Sequence, residues 1–230
     1  MIGSLLLPEL KQLIRDKDFA QLRDILVEFP APDLAELLDD LEPADTVVLL
    51  RILPQDVAAE VFEHIPISGQ EELLQALGDV DVAKILNELA ADDRTALLEE
   101  LPAKATQRML GLLSPEKRKV ASELLGYPKD SVGRRMTPAY VAIERGWTVG
   151  QVLEHLRRVG RLQQRTVLHQ LYVVDKDGRL VDWVRLQTLV VAEADQPVAE
   201  LFEGTDLSLK ATDNQESAVA AFQKYDVTVL

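Results

Sequence analysis

One interval governs this chain. An apolar residue returns every twelve positions from Phe29 to Leu125, through Leu41, Leu53, Ile65, Leu77, Leu89, Leu101 and Leu113. An apolar pair keeps the same interval, from Leu37-Leu38 through Leu49-Leu50, Val61-Phe62, Leu73-Leu74, Ile85-Leu86 and Leu97-Leu98 to Met109-Leu110. In the first unit Leu34, Leu37, Leu38 and Leu41 form one stripe of an α-helix. Pro30, Pro43, Pro54, Pro66, Pro102 and Pro115 punctuate the unit starts. Ser114 followed by Pro115 reads as an N-cap with proline at the first helical position. Asp33 with Glu36, and Ser68 with Glu71, fit the capping-box pattern.

Each unit then makes a helix of roughly eight or nine residues, too short to be stable alone in water. Stacking must bury the stripe, so the repeat implies a right-handed solenoid of short helices around a continuous apolar seam. The eighth unit has Ala121-Ser122 in place of the apolar pair and carries Lys117, Arg118 and Lys119, which marks it as a terminal cap. Residues 5–28 supply one or two further helices that close the other end.

The repeat is also acidic. Net charge is −14 over the 230 residues, and residues 33–100 hold 18 acids against three bases, Arg51, Lys84 and Arg94. Such a surface repels nucleic acid and anionic lipid and attracts cations, so no nucleic-acid partner is expected. Cysteine is absent, which removes disulfide scaffolds, thiol catalysis and cysteine-based zinc sites. No apolar run approaches the ~18 residues needed to span a bilayer, and the start has no basic n-region. The expectation is a soluble cytoplasmic chain.

Beyond "LLGYPKDSVGRRMTP" the period vanishes and β-type patterning begins. A strand is expected over Tyr140–Ile143, and a helix to about Arg158 opened by a capping box of Thr148 and Gln151. A hairpin follows, with strands Leu171–Val174 and Arg179–Leu186 around the turn Asp175–Gly178. A second cycle is expected from a strand at Leu207–Lys210. Its helix, from about Asn214 to Tyr225, is capped by Asp213 with Glu216 and followed by a strand at Val227–Leu230.

Here a resemblance enters. "GRRMTPAYVAI…WTVGQVLEHLRR…LYVVDKDGRLVDWVRLQTLV" resembles a CBS (cystathionine-β-synthase) domain, and "ATDNQESAVAAFQKYDVTVL" the opening of a second. The acidic solenoid joined to "YPKDSVGRRMTPAYVAI" resembles the cytosolic portion of the MgtE family of magnesium channels. The resemblance implies an α plus α/β chain in three parts. These are a helical-repeat domain over 1–128, a CBS module of βαββα type over 129–204, and an incomplete second module over 205–230. The family continues through the rest of that module into a membrane domain, so a truncated relative or fragment is expected.

The resemblance further implies that Mg²⁺ bridges and neutralises acidic surfaces of the helical and CBS domains to favour a closed state, and that CBS modules pair in a homodimer. The chain would then sit at the cytoplasmic face of the inner membrane, attached to a channel domain. Matched motif to motif, the implied metal-contacting residues are Glu60, Asp92, Glu216 and Asp226. The acid expected one turn after Asp92 is Ala96, and the one two residues before Glu216 is Asn214. CBS modules that bind ATP or AMP typically carry Ser/Thr-x-x-Asp after the second hairpin strand. Arg185 to Thr188 stands there, without the ribose-holding acid.

Catalysis has little to rest on. His64, His155 and His169 lie apart, with no nucleophile in a recognisable motif near any of them. Carboxylate pairs such as Asp39-Asp40 and Glu99-Glu100 fit solvated helix surfaces better than acid–base chemistry. A non-enzyme is expected. Three readings stay open: a Mg²⁺-sensing regulatory region, a CBS module switched by adenine nucleotide, and an acidic scaffold for a basic partner with no metal role.

Overall fold

The structure, a computed structural model, describes residues 2–162, 169–204, 207–225, 227 and 229–230. The chain divides into two compact units, Met1–Tyr127 and Pro128–Leu230.

The first unit is all helix. Helices α1 (Ile2–Asp16) and α2 (Phe19–Leu26) precede the repeats α3 (Ala31–Asp39), α4 (Pro43–Ile52), α5 (Gln55–His64), α6 (Ile67–Ala76), α7 (Asp79–Glu88), α8 (Ala91–Glu100), α9 (Ala103–Leu112) and α10 (Pro115–Leu125). From α4 to α9 each helix has ten residues, slightly longer than the stripe suggests. Two extended residues then complete the twelve: Leu53 and Pro54 at ψ 151° and 148°, Ile65 and Pro66 at 137° and 145°. Proline fixes its own φ and drives the preceding residue out of the helical region, so the Leu-Pro and Ile-Pro pairs write this linker directly.

Helices pack mainly on the helix two units away, α3 on α5 on α7 on α9 and α4 on α6 on α8 on α10, giving two rows. Between the rows lie the buried pairs, with Leu49, Val61, Phe62 and Leu86 fully enclosed. The linker residues Leu41, Leu53, Ile65, Leu77, Leu89 and Leu113 join the same core. At the start, α1 packs on α2, α3 and α4.

Two expected capping boxes are corrected. Pro30 and Pro66 are the N-caps of α3 and α6, so Asp33 and Ser68 already lie inside the first turn, and neither helix has a side-chain cap. Ser114 does cap α10, accepting from the Lys117 N–H at 3.3 Å.

The free helix ends that matter are the C-terminal ones, whose last carbonyls lack intrahelical partners. One place in the repeat seals them. Gln70 Nε2 donates to the carbonyls of Phe62 and Ile65 at 2.8 and 2.9 Å. Arg94 Nη1 donates to those of Leu86 and Leu89 at 3.2 and 3.0 Å. Thr106 Oγ1 donates to Leu98 and Leu101, Arg118 to Gly111 and Leu113, and Thr46 to Leu38. Residues 46, 70, 94, 106 and 118 are the same register, in which Ala58 and Val82 are apolar and buried.

The second unit opens with α11 (Val132–Arg135) and continues as β1 (Ala142–Glu144), α12 (Val149–Leu162), β2 (Gln170–Val174), β3 (Leu180–Arg185) and α13 (Leu186–Val191). A 3-10 turn (Val198–Leu201) and α14 (Gln215–Tyr225) follow. The sheet order is β1-β2-β3, with β1 parallel to β2 in the register Ala142 to Tyr172 and β3 antiparallel in the register Leu171 to Val184. Ile143, Leu171, Val173 and Val184 bury against Val149, Val152 and Leu156 of α12. Thr148 and Gln151 form the expected reciprocal box, at 2.9 and 3.4 Å. Asp175 Oδ1 holds the hairpin turn through the N–H groups of Asp177 and Arg179, and Gly178 takes its positive φ of 76°.

Three further expectations are corrected. Leu207–Lys210 forms no strand; the next segment instead zips onto residues 131–133, with Val132 N donating to Asp213 O and Gly133 N to Ala211 O. Asp213 folds back on Lys210, accepting its N–H at 2.9 Å, and Asn214 rather than Asp213 caps α14 by accepting from Glu216 N at 2.8 Å. Val227, Val229 and Leu230 form no strand, since no ladder partner lies beside them among the described residues.

Candidate cation-sensing surface

The bases that could neutralise residues 33–100 are committed to structure. Arg51 and Lys84 both reach Asp81, at 2.8 and 3.5 Å. Arg94 is buried at 3% exposure, sealing the end of α7. Burial pulls its guanidinium below the usual arginine range, and the Asp92 carboxylate partly restores the charged form. Within this stretch the two surface bases thus serve one acid, Asp81, and the excess of acids over bases stands.

Glu60 lies in the middle of α5 with its side chain exposed, and Asp92 sits half-buried in the first turn of α8. These helices belong to different rows. Glu216 is exposed in the first turn of α14, where residues 130–135 are tied to residues 211–215 by Asp130 O accepting from Gln215 N and Arg135 Nε donating to Gln215 Oε1. Asp226 lies outside the described residues. Among the described residues no three His, Asp or Glu side chains converge on a point that could hold a metal. A hydrated Mg²⁺ touched by one or two carboxylates needs no such cage of protein ligands.

A feature not read from the sequence lies beside α13. Thr188 Oγ1 donates to Glu203 Oε1 at 3.5 Å, and Arg185 pairs with Glu203 Oε2 at 3.3 Å while stacking over Trp183 at 5.4 Å. Asp182 Oδ1 fixes the loop that carries Glu203 by accepting from the N–H groups of Trp183, Glu203 and Gly204. Where the nucleotide-binding pattern has an aspartate, a glutamate from a distant segment thus meets Thr188. No local motif could announce it, because the two lie 15 residues apart. On β2, burial pushes the Tyr172 phenol up, and the ring meets Tyr140 edge-on at 5.7 Å.

Residues 9–130 match the family of the MgtE intracellular N domain. The chain belongs to the MgtE family. It is 35% identical over 224 residues to the magnesium transporter MgtE of Thermus thermophilus, covering 96% of this chain and 49% of that protein. To MgtE of Bacillus subtilis it is 24% identical over 214 residues, covering 93% and 47%. This MgtE-family chain therefore spans about half the length of those two transporters. In structure it is similar to the cytosolic domain of the Mg²⁺ channel MgtE in complex with ATP, with TM-score 0.90 and 34% identity over 98% of this chain and 91% of that one. The soluble part of a magnesium transporter shares the fold at TM-score 0.86 and 22% identity, covering 98% and 88%. Among the described residues no helix is long and apolar enough to cross a membrane.

Proposed function

We propose that this chain is the cytosolic Mg²⁺-sensing regulatory region of an MgtE-type magnesium channel. Mg²⁺ neutralises acidic surfaces of the helical and CBS units and so favours a closed state, with CBS modules pairing the chains as a homodimer. Glu60, Asp92, Glu216 and Asp226 are the proposed ion contacts. The observation that carries this reading is the unbalanced acidity of residues 33–100, where 18 acids meet three bases, Arg51 and Lys84 share the single acid Asp81, and Arg94 is buried against backbone carbonyls. Family membership supports it. Compaction of so charged a unit is opposed by self-repulsion, which a divalent ion relieves more than a monovalent one at equal ionic strength.

Small-angle scattering tests this. Titration with MgCl₂ in the millimolar range is expected to lower the radius of gyration, while NaCl matched for ionic strength leaves it unchanged. Glu60→Ala combined with Asp92→Ala is expected to remove the Mg²⁺ response. Equal responses to the two salts would reduce the effect to screening and end the proposal.

A second reading, switching by adenine nucleotide, is favoured by the ATP held in the 34%-identical cytosolic domain. Binding to the folded state alone raises stability by about 2.7 kcal/mol at a hundredfold excess over Kd. Under this reading ATP at millimolar concentration raises the melting midpoint by several degrees, and Glu203→Ala reduces that rise. An unchanged midpoint discards it.

A further inference from the structure

A groove recurs on the helical unit, and two copies of it differ in what fills them. The first, about 100 Å³, is lined by Leu38, Asp39, Leu41, Ile65, Gly69 and Glu72. The second, about 50 Å³, has Leu50, Arg51, Leu53, Leu77, Asp81 and Lys84 at places each twelve residues further on. In the second the chain supplies its own cations: Arg51 Nε and Lys84 Nζ close on Asp81. In the first the same three places hold Asp39, Gly69 and Glu72. Two carboxylates face an opening from which the central side chain is missing. Gly69 keeps it so, because a Cβ there would meet Ile65 Cγ2 at 2.9 Å.

Asp39 has also lost a donor that its counterparts keep. At the same register Glu63 accepts from the backbone N–H of Ala90 at 3.1 Å, and Asn87 from that of Ser114 at 2.8 Å, each 27 residues on. The residue 27 beyond Asp39 is Pro66, which has no N–H to give. Asp39 and Glu72 are exposed, and both lack an ion pair among the described residues.

We propose that this groove is a docking site for a basic protein segment. It takes the aliphatic stem of an arginine along Leu38, Leu41 and Ile65, with the guanidinium between Asp39 and Glu72. The second groove is the internal precedent, since there the places of Asp39 and Glu72 carry the cations and the central place the acid. A planar guanidinium with several donors engages two carboxylates better than an ammonium does. A hydrated divalent ion would leave the aliphatic wall unused. The inference does not depend on the ion-sensing proposal.

The test uses a fluorescein-labelled peptide alternating arginine and leucine, with citrulline in place of arginine as its neutral twin, read by anisotropy near physiological salt. Saturable binding of the arginine peptide alone is expected. Asp39→Arg with Gly69→Asp and Glu72→Lys rewrites the groove in its neighbour's residues and is expected to weaken binding about tenfold. Asp24→Arg with Glu28→Ala changes net charge equally, elsewhere on the unit, and is expected to cost less than about twofold. Should the triple variant fail to fold, Asp39→Asn with Glu72→Gln serves, with the same expectation. Equal weakening by the control, or no saturable binding, overturns the proposal. So does displacement of the peptide by MgCl₂ beyond that by matched NaCl, which would give the groove to a divalent ion.

Discussion

Arg94→Ala is expected to destabilise the helical unit by about 2–4 kcal/mol, and Arg94→Gln by less than about 1 kcal/mol, in urea unfolding. Arg94 is 3% exposed and closes the carbonyls of Leu86 and Leu89. Alanine would strand both carbonyls in a dry place and leave a void beside them. Glutamine is already used for this task one row-step earlier, where Gln70 reaches Phe62 and Ile65 at slightly shorter distances. Arg94 Nε also has no hydrogen-bond partner among the described residues although it is buried, so the charged side chain carries a desolvation cost that an amide avoids. Similar losses in both variants would show that the charge itself is what the site requires. No loss in alanine would show that water reaches those carbonyls.

Phe62→Ala should cost about 3–5 kcal/mol, the range for removing a buried aromatic ring. Phe62 has 0% exposure in α5, the helix that joins α3 to α7 in its row. Solenoid stability is a sum of units and of interfaces between neighbours. A hole at α5 therefore weakens the joint as well as the unit, and α1 to α4 should separate from α6 to α10 in the unfolding profile. Calorimetry would register this as a broadened or split transition with reduced cooperativity. A single transition shifted downward, of unchanged sharpness, would show instead that the rows fold as one block.

The seam of the helical unit was legible because period and burial have the same cause: every linker leucine and apolar pair must face the one core available. The helix starts were less so. A carboxylate or hydroxyl followed three residues later by Glu looks like a box, but a proline just ahead had already begun the turn at Pro30 and Pro66. Carbonyl-sealing residues escaped notice because Thr46, Gln70, Arg94, Thr106 and Arg118 share a register and no chemistry beyond donating a hydrogen bond. Strands expected at Leu207–Lys210 and Val227–Leu230 depended on pairing, which no local pattern encodes. Of the candidate ion contacts, Glu60, Asp92 and Glu216 have places on described helices, while their convergence depends on three-dimensional neighbours that motif matching does not supply.

The ten-plus-two unit has a consequence for how such a chain can change length over generations. Because successive helices alternate between rows, gaining or losing one unit moves every later helix to the opposite row and turns its acids to the other side. Gaining or losing two leaves each later residue in its row. Viable length variants of this lineage should therefore differ by pairs of units, and an odd-numbered duplication should survive only where it falls beside α10, with little of the helical unit left downstream to be reversed.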